Sequence, residues 1–218
     1  MLSSQVSQSP SCRAHKFGGS SLADAGRIRH VASLMIDAEE PHQVVVVSAM
    51  QGTTNALIAM TNAAAAGEDW QSAWSSLRTQ HADAASALLD APIALQDVAG
   101  GPYLVCELGQ RTGLTTAVLS AMLLQAHLRA RGADYALLDA RDVLLVRHAE
   151  LGAVVDWDES ARRLAAWRAA NPQARVVATG FVASGEDGLP TVLGRNGSDF
   201  SCAIFAALFD AAELHIWS

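Results

Sequence analysis

Charge, cysteine and proline are all sparse in this sequence. Only 17% of its 218 residues are charged, and Asp and Glu outnumber Lys and Arg by 22 to 15. A net charge of -7 excludes the broad basic surface that nucleic-acid binding needs. A ligand bearing carboxylates or phosphates must therefore find its cations in a local pocket. The three cysteines, Cys12, Cys106 and Cys202, are far apart and form no Cys-x-x-Cys spacing. This excludes a zinc ribbon or a disulfide framework and fits a reducing compartment; Cys106 and Cys202 read as small core residues. The seven histidines include no His-x-x-x-His pair. His15 reads as an exposed strand neighbour, and Trp70, Trp157 and Trp167 read as packing residues on helices. No apolar run approaches the roughly 18 residues of a membrane span. Met1 to Arg13, rich in Ser and Gln, lacks the basic-then-apolar order of a secretory signal. The expected location is cytoplasmic, with residues 1–14 a disordered leader.

Half of the residues are hydrophobic, enough for one domain with a sizeable core. Apolar runs alternate with helical periodicities. Arg13 to Phe17 reads as a strand followed by Gly18-Gly19. Ile28, Val31, Ala32 and Met35 put a helix over Asp24 to Ala38. Val44 to Val47, four β-branched residues in a row, make a strand buried on both faces. Helices follow at about Thr54 to Ala66, Trp70 to Leu89, Leu114 to Arg131 (capped by Gly132) and Asp158 to Ala170. Strands are expected at Tyr135 to Leu138, Arg175 to Thr179, Thr191 to Leu193 and from Glu213, with a last helix over Asp199 to Leu208. The alternation predicts an α/β fold, a three-layer sandwich with a mostly parallel sheet. In such folds ligands bind beyond the carboxyl ends of the strands. Lys16, Ser48, Thr179 and Arg195 are expected together at that edge of one sheet.

Three segments at strand ends carry chemistry. In Lys16-Phe17-Gly18-Gly19-Ser20 the glycines let a phosphate approach backbone N–H groups, and Lys16 adds a mobile positive charge. The loop Ser48 to Asn55 offers hydroxyl and N–H donors at a helix start, although Thr53 or Thr54 also fits a plain N-cap. In Gly194-Arg195-Asn196-Gly197-Ser198-Asp199, Arg195 can grip a carboxylate bidentately. Ser198 is a candidate N-cap, and Asp199 suits a helix dipole. Each segment alone also fits an ordinary capping turn, but Arg195 is unfavourable at a helix start and asks for another reason.

In this order and context the three segments, with Thr179-Gly180-Phe181 between them, resemble the amino-acid kinase family. The resemblance is nearest to aspartate kinases, in particular the kinase portion of bifunctional aspartate kinase/homoserine dehydrogenases, and covers His15 to Ser218. It implies transfer of phosphate from ATP, accompanied by Mg2+, to the side-chain carboxylate of L-aspartate, the first step of lysine, threonine and methionine biosynthesis. Lys16 would neutralise the transferring group, and Gly18, Gly19 and Ser20 would cradle phosphate oxygens. Ser48 and Thr54 would contact the aspartate, Arg195 and Ser198 would hold its carboxylate end, and Asp199 would organise Lys16. Such chemistry needs positioning and charge neutralisation more than covalent participation.

Two departures qualify the resemblance. The family glutamate that faces the substrate amino group falls on Gln110 when Gly109 is the anchor, and on Ala117 when the helix is counted back from Gly132; Glu107 is out of register. The chain also ends at Ser218, ahead of the family's nucleotide-binding segment. The sheet is therefore expected to be incomplete at its C-terminal side, and residues 1–218 alone are expected to show no kinase activity. The alternatives are a glutamate kinase-like enzyme and a non-catalytic remnant. Expected associations are a homo-oligomer or pairing with a complete subunit.

Overall fold

The computed structural model of the protein describes residues 12–89, 112–150, 152–194 and 196–217. In chain order the first elements are β1 (Cys12–Phe17), α1 (Ala25–Asp37), β2 (Gln43–Val47), α2 (Thr53–Ala66), α3 (Gln71–Leu88), α4 (Thr112–Ala130) and β3 (Ala136–Leu138). They are followed by α5 (Ala140–Val143), β4 (Leu145–Ala149), β5 (Gly152–Val155), α6 (Trp157–Ala170), β6 (Arg175–Thr179), β7 (Val182–Gly185), β8 (Pro190–Val192), α7 (Gly197–Leu208) and β9 (Ala211–Trp217). The main sheet is wholly parallel, in the order β3-β6-β2-β1-β9. Its central strand is the four-valine run, and every residue of β2 is buried.

Alternation along the strands divides the core in two. Phe17, Val45, Val47 and Val177 pack beneath α1, α3 and α4 on one face. Ala14, Val44, Val46, Val176 and Ala178 pack on the other against α7 and a second sheet. Each buried valine of β2 contributes about 1.5–3 kcal/mol by leaving water. That is why this strand lies at the centre. Gln43 starts the same strand and is equally buried, but the Tyr135 hydroxyl donates to its Oε1 at 2.6 Å. At the front of α1 the Asp24 carboxylate accepts from the Arg27 N–H at 2.9 Å, an N-cap that fixes where the helix begins.

The mostly parallel main sheet is as expected; the placement of Thr191 to Leu193 in it needs correction. Thr191 to Leu193 does not join the main sheet; β8 pairs antiparallel with β7 in a four-stranded sheet ordered β5-β4-β7-β8. The cause is local. Gly185-Glu186-Asp187-Gly188 closes a tight turn, with the Gly188 N–H bonded to Gly185 O and Gly188 at φ +76°. A short turn joins only antiparallel neighbours. The strand β1 begins at Cys12, so residues 12–14, read as leader, belong to the sheet, and Ala14 is fully buried. Trp157 starts α6 and is 48% exposed, not packed, whereas Trp167 lies against the core. On the solvent face of α6, Glu159 receives both Arg162 and Arg163; these hydrogen bonds, that of Arg162 first, hold its carboxyl at about 2.

His15, expected at the surface, is only 3% exposed, as is His81 in α3. Burial lowers the pKa of both rings from their ordinary 6.5. The His81 Nδ1 sits 2.9 Å from Leu77 O while its Nε2 has no hydrogen-bond partner among the described residues. Below that ordinary value the unfolded chain binds more protons than the folded one, so stability falls as pH drops and levels off under the folded-state values. Thermal denaturation is therefore expected to show a lower Tm at about pH 5 than at about pH 7.5. His81→Leu should flatten that slope; an equally steep slope in the variant would remove His81 from the account.

Candidate active site

The carboxyl ends of three parallel strands are tied side by side. The Ser48 N–H donates to Phe17 O at 3.1 Å and the Gly180 N–H to Val47 O at 2.8 Å. The loops after β1, β2 and β6 therefore start at one level. Gly19 opens a 3-10 turn through Leu22, and the first N–H groups of such a turn have no partner within it. The loops also touch. A Cβ on Gly19 would lie 2.9 Å from Ala49 O, and one on Gly180 would lie 2.9 Å from Val47 O and 3.1 Å from the Ser198 Cβ. Gly180→Ala is expected to cost roughly 1–3 kcal/mol of stability through forced backbone shifts, read as a lowered Tm. An unchanged Tm would mean that the loops are not in contact.

A cavity of about 510 Å³ opens at this edge, with Ser48, Thr54, Asn55, Phe181, Asn196 and Ser198 among its walls. Two helices begin there. The N-cap of α2 is Gly52 at φ +82°, and that of α7 is Asn196 at φ +54°; neither uses a side-chain cap. This corrects the expected caps. Thr53 is the buried first residue of α2, and Ser198 is the second residue of α7. Because backbone makes the turns, Thr54 and Ser198 are not used as caps and instead line the cavity. Two positive helix ends, hydroxyls and amides around one space suit an oxyanion ligand.

Lys16 points to the opposite face of the sheet from Phe17, as alternation requires. Its Nζ lies 2.7 Å from Asp199 Oδ1 in the first turn of α7. The contact lacks hydrogen-bond geometry, and that oxygen has no hydrogen-bond partner among the described residues. With the Asp199 side chain 40% exposed, the pair contributes about 1 kcal/mol or less. It places the ammonium rather than holding the fold. A Cβ on Gly18 would sit 3.3 Å from Nζ, so the ammonium rests on the glycine turn. Cys202, one helical turn on, is buried, and burial above all pushes its thiol up to about 12. It stays protonated and inert.

Of the residues expected from sequence, Gly19, Ser48, Thr54 and Ser198 line the cavity, and Lys16, Gly18 and Asp199 lie beside it. Ser20 is exposed on the 3-10 turn. Arg195, Glu107, Gly109, Gln110 and Cys106 lie outside the described residues. Ala117, the residue reached by counting back from Gly132, lines the cavity with a methyl group. Asn55, Phe181 and Asn196 were not assigned a role from sequence. Phe181 sits at φ +75°, a conformation costing a non-glycine residue roughly 1–3 kcal/mol; its place after Gly180 was the available signal. No group of three or more His, Cys, Asp or Glu that could hold a metal occurs among the described residues.

The pattern for the amino acid kinase family matches residues 12–218. The chain belongs to the amino acid kinase family. It is 34% identical over 226 residues to the chloroplastic bifunctional aspartokinase/homoserine dehydrogenase of Daucus carota, covering 94% of this chain and 24% of that protein. Against bifunctional aspartokinase/homoserine dehydrogenase 2 of Escherichia coli the identity is also 34%, over 94% of this chain and 27% of the relative. The chain thus spans about a quarter of the length of these relatives. Its fold matches the crystal structure of E. coli aspartokinase III in complex with aspartate and ADP, with a TM-score of 0.82 and 24% identity over 94% of this chain and 48% of that one. The Clostridium acetobutylicum aspartate kinase gives a TM-score of 0.76 at 21% identity, over 95% of this chain and 48% of that one. The α/β architecture with a mostly parallel central sheet is shared with both. No helix among the described residues is long and apolar enough to cross a membrane.

Proposed function

We propose that the protein transfers the γ-phosphoryl group of ATP to the side-chain carboxylate of L-aspartate, giving 4-phospho-L-aspartate and ADP. The observation that carries this reading is the Lys16 ammonium, 2.7 Å from Asp199 and resting on Gly18, at the rim of an oxyanion-suited cavity. A carboxylate is already ionised at neutral pH, so no strong base is needed. The obstacle is bringing two anions together. Ser48, Thr54, Ser198 and Arg195 hold the amino acid by its oxygens, with Arg195 on the α-carboxylate. The N–H groups of Gly18, Gly19 and Ser20 take phosphate oxygens. Lys16 offsets the negative charge of the transferring group, and Asp199 keeps its ammonium at that place. The names of the relatives, and the aspartate and ADP bound in the E. coli aspartokinase III structure, support aspartate and an adenine nucleotide as the pair.

Magnesium is expected to arrive with the nucleotide. Beside it, Lys16 and the backbone N–H groups are the protein's expected charge contribution. A place in lysine, threonine and methionine biosynthesis and a cytoplasmic location follow from the same reading, although the plant relatives are named as chloroplastic. A coupled assay for ADP release tests it on the chain extended to the length of its aspartokinase relatives, since residues 1–218 alone are expected to show no activity. Release that depends on L-aspartate is expected. Bound L-aspartate without any ADP release would instead favour a non-catalytic member of the family.

A further inference from the structure

The loop that carries Ser198 and Asp199 has to be held against the sheet, and the means is visible around Phe181. The backbone of Phe181 is in the left-handed region at φ +75°, which bulky residues rarely occupy. Both of its backbone groups are bound. Its N–H donates to Ser201 Oγ at 2.8 Å, and its C=O accepts from the Leu193 N–H at 2.9 Å. Ser201 is fully buried and donates in turn to Gly197 O at 2.7 Å. One hydroxyl therefore bridges the end of β6 and the first turn of α7. The ring completes the lock. A Cβ on Gly197 would lie 2.6 Å from Phe181 Cδ2 and 3.2 Å from the Leu193 Cβ, so only glycine fits against the ring. Phe181 also lines the cavity.

We infer that Phe181 is a positioning residue: its strained backbone, pinned by Ser201 and Leu193, wedges the ring against Gly197 and fixes the helix start that presents Ser198 to the ligand and Asp199 to Lys16. The inference rests on the functional reading above for the identity of the ligand, but not for the wedge itself. Relaxing the strain would be easy for the chain if the position were indifferent. A glycine at 181 would meet no φ penalty, and a side chain there only makes sense if the ring has work at Gly197. The effect is local to the amino-acid end of the site. The glycine turn of Gly18 and Gly19 approaches a different segment, Ala49, whose O would lie 2.9 Å from a Cβ on Gly19.

The test is a double-mutant cycle on the chain extended to the length of its aspartokinase relatives, with L-aspartate and ATP titrated separately, following the Ser198 and Asp199 amides by NMR. Gly197→Ala is expected to weaken L-aspartate at least tenfold and ATP less than twofold. In a Phe181→Ala background, where the ring is gone, the same change should cost less than a further twofold. Equal losses in both backgrounds, or equal losses for both ligands, would overturn the wedge. If Gly197→Ala does not fold, Ser201→Ala carries the test, because it frees the Phe181 amide without adding atoms. Exchange of that amide should be slow in the native protein and at least tenfold faster in the variant; fast exchange in the native protein overturns the proposal. If the native protein does not bind L-aspartate at all, the functional reading falls, and the wedge is judged on the amide exchange alone.

Discussion

Lys16→Met is expected to lower kcat for phosphoryl transfer by about 100- to 1000-fold, the usual effect of removing one preorganised charge-stabilising group. Methionine keeps the length and apolar stem of a side chain that is only 12% exposed, so the fold should persist and the Tm should move little. The loss falls on kcat because the charge that Lys16 offsets grows as the phosphoryl group moves between two anions. Lys16→Arg should not rescue it. The guanidinium is planar and wider than an ammonium, and Nζ sits where Gly18 has no Cβ, which would lie 3.3 Å away, a gap that suits the smaller group. A kcat within a few-fold of the native value in Lys16→Met would take the ammonium out of the mechanism.

Arg195→Ala should act on the other substrate. Losing a bidentate, charge-assisted partner from a carboxylate costs roughly 2–5 kcal/mol, or about 30-fold to more than 1000-fold in affinity. The KM for L-aspartate is expected to rise by that order while the KM for ATP changes little. Steady-state kinetics with each substrate varied in turn separates the two. A raised KM for ATP with an unchanged KM for L-aspartate would assign Arg195 to the nucleotide.

The sequence disclosed the main sheet because its strands announce themselves. Val44 to Val47 cannot be amphipathic at any period, so they had to be buried on both faces, and Arg175 to Thr179 reads the same way. The strand-end positions of Lys16 and Ser48 followed directly. The second sheet was less legible. Arg147 and His148 interrupt β4, and β7 and β8 are four and three residues long, too short for a pattern of two to stand out. The Asp187-Gly188 turn that reverses the chain before β8 is the one clear cue to an antiparallel pair there.

Within the site, residue types were readable but conformations were not. Thr53, Thr54 and Ser198 look like caps by composition, yet Gly52 and Asn196 make the turns through positive φ. Nothing in the letters distinguishes a hydroxyl that caps a helix from one left free beside it. The buried state of His15 escaped for a similar reason: a histidine between Ala14 and Lys16 reads as surface until β9 is laid alongside β1. There, Trp217 stacks on Phe17 with ring centroids 5.6 Å apart, and its Nε1 lies 3.4 Å from His15 Nδ1. That burial depends on a pairing between residues about two hundred positions apart, which local periodicity does not carry.

The central claim is that a side-chain carboxylate accepts the phosphoryl group, and the product tests it most directly. An acyl phosphate reacts with hydroxylamine to give a hydroxamate, whereas phosphate esters and free phosphate do not. The chain extended to the length of its aspartokinase relatives, incubated with ATP, magnesium, hydroxylamine and either L-aspartate or L-glutamate, is predicted to yield aspartyl β-hydroxamate in amounts matching the ADP released, and no glutamyl product. Hydroxamate from L-glutamate alone, or ADP release with no hydroxamate from either amino acid, would contradict the account.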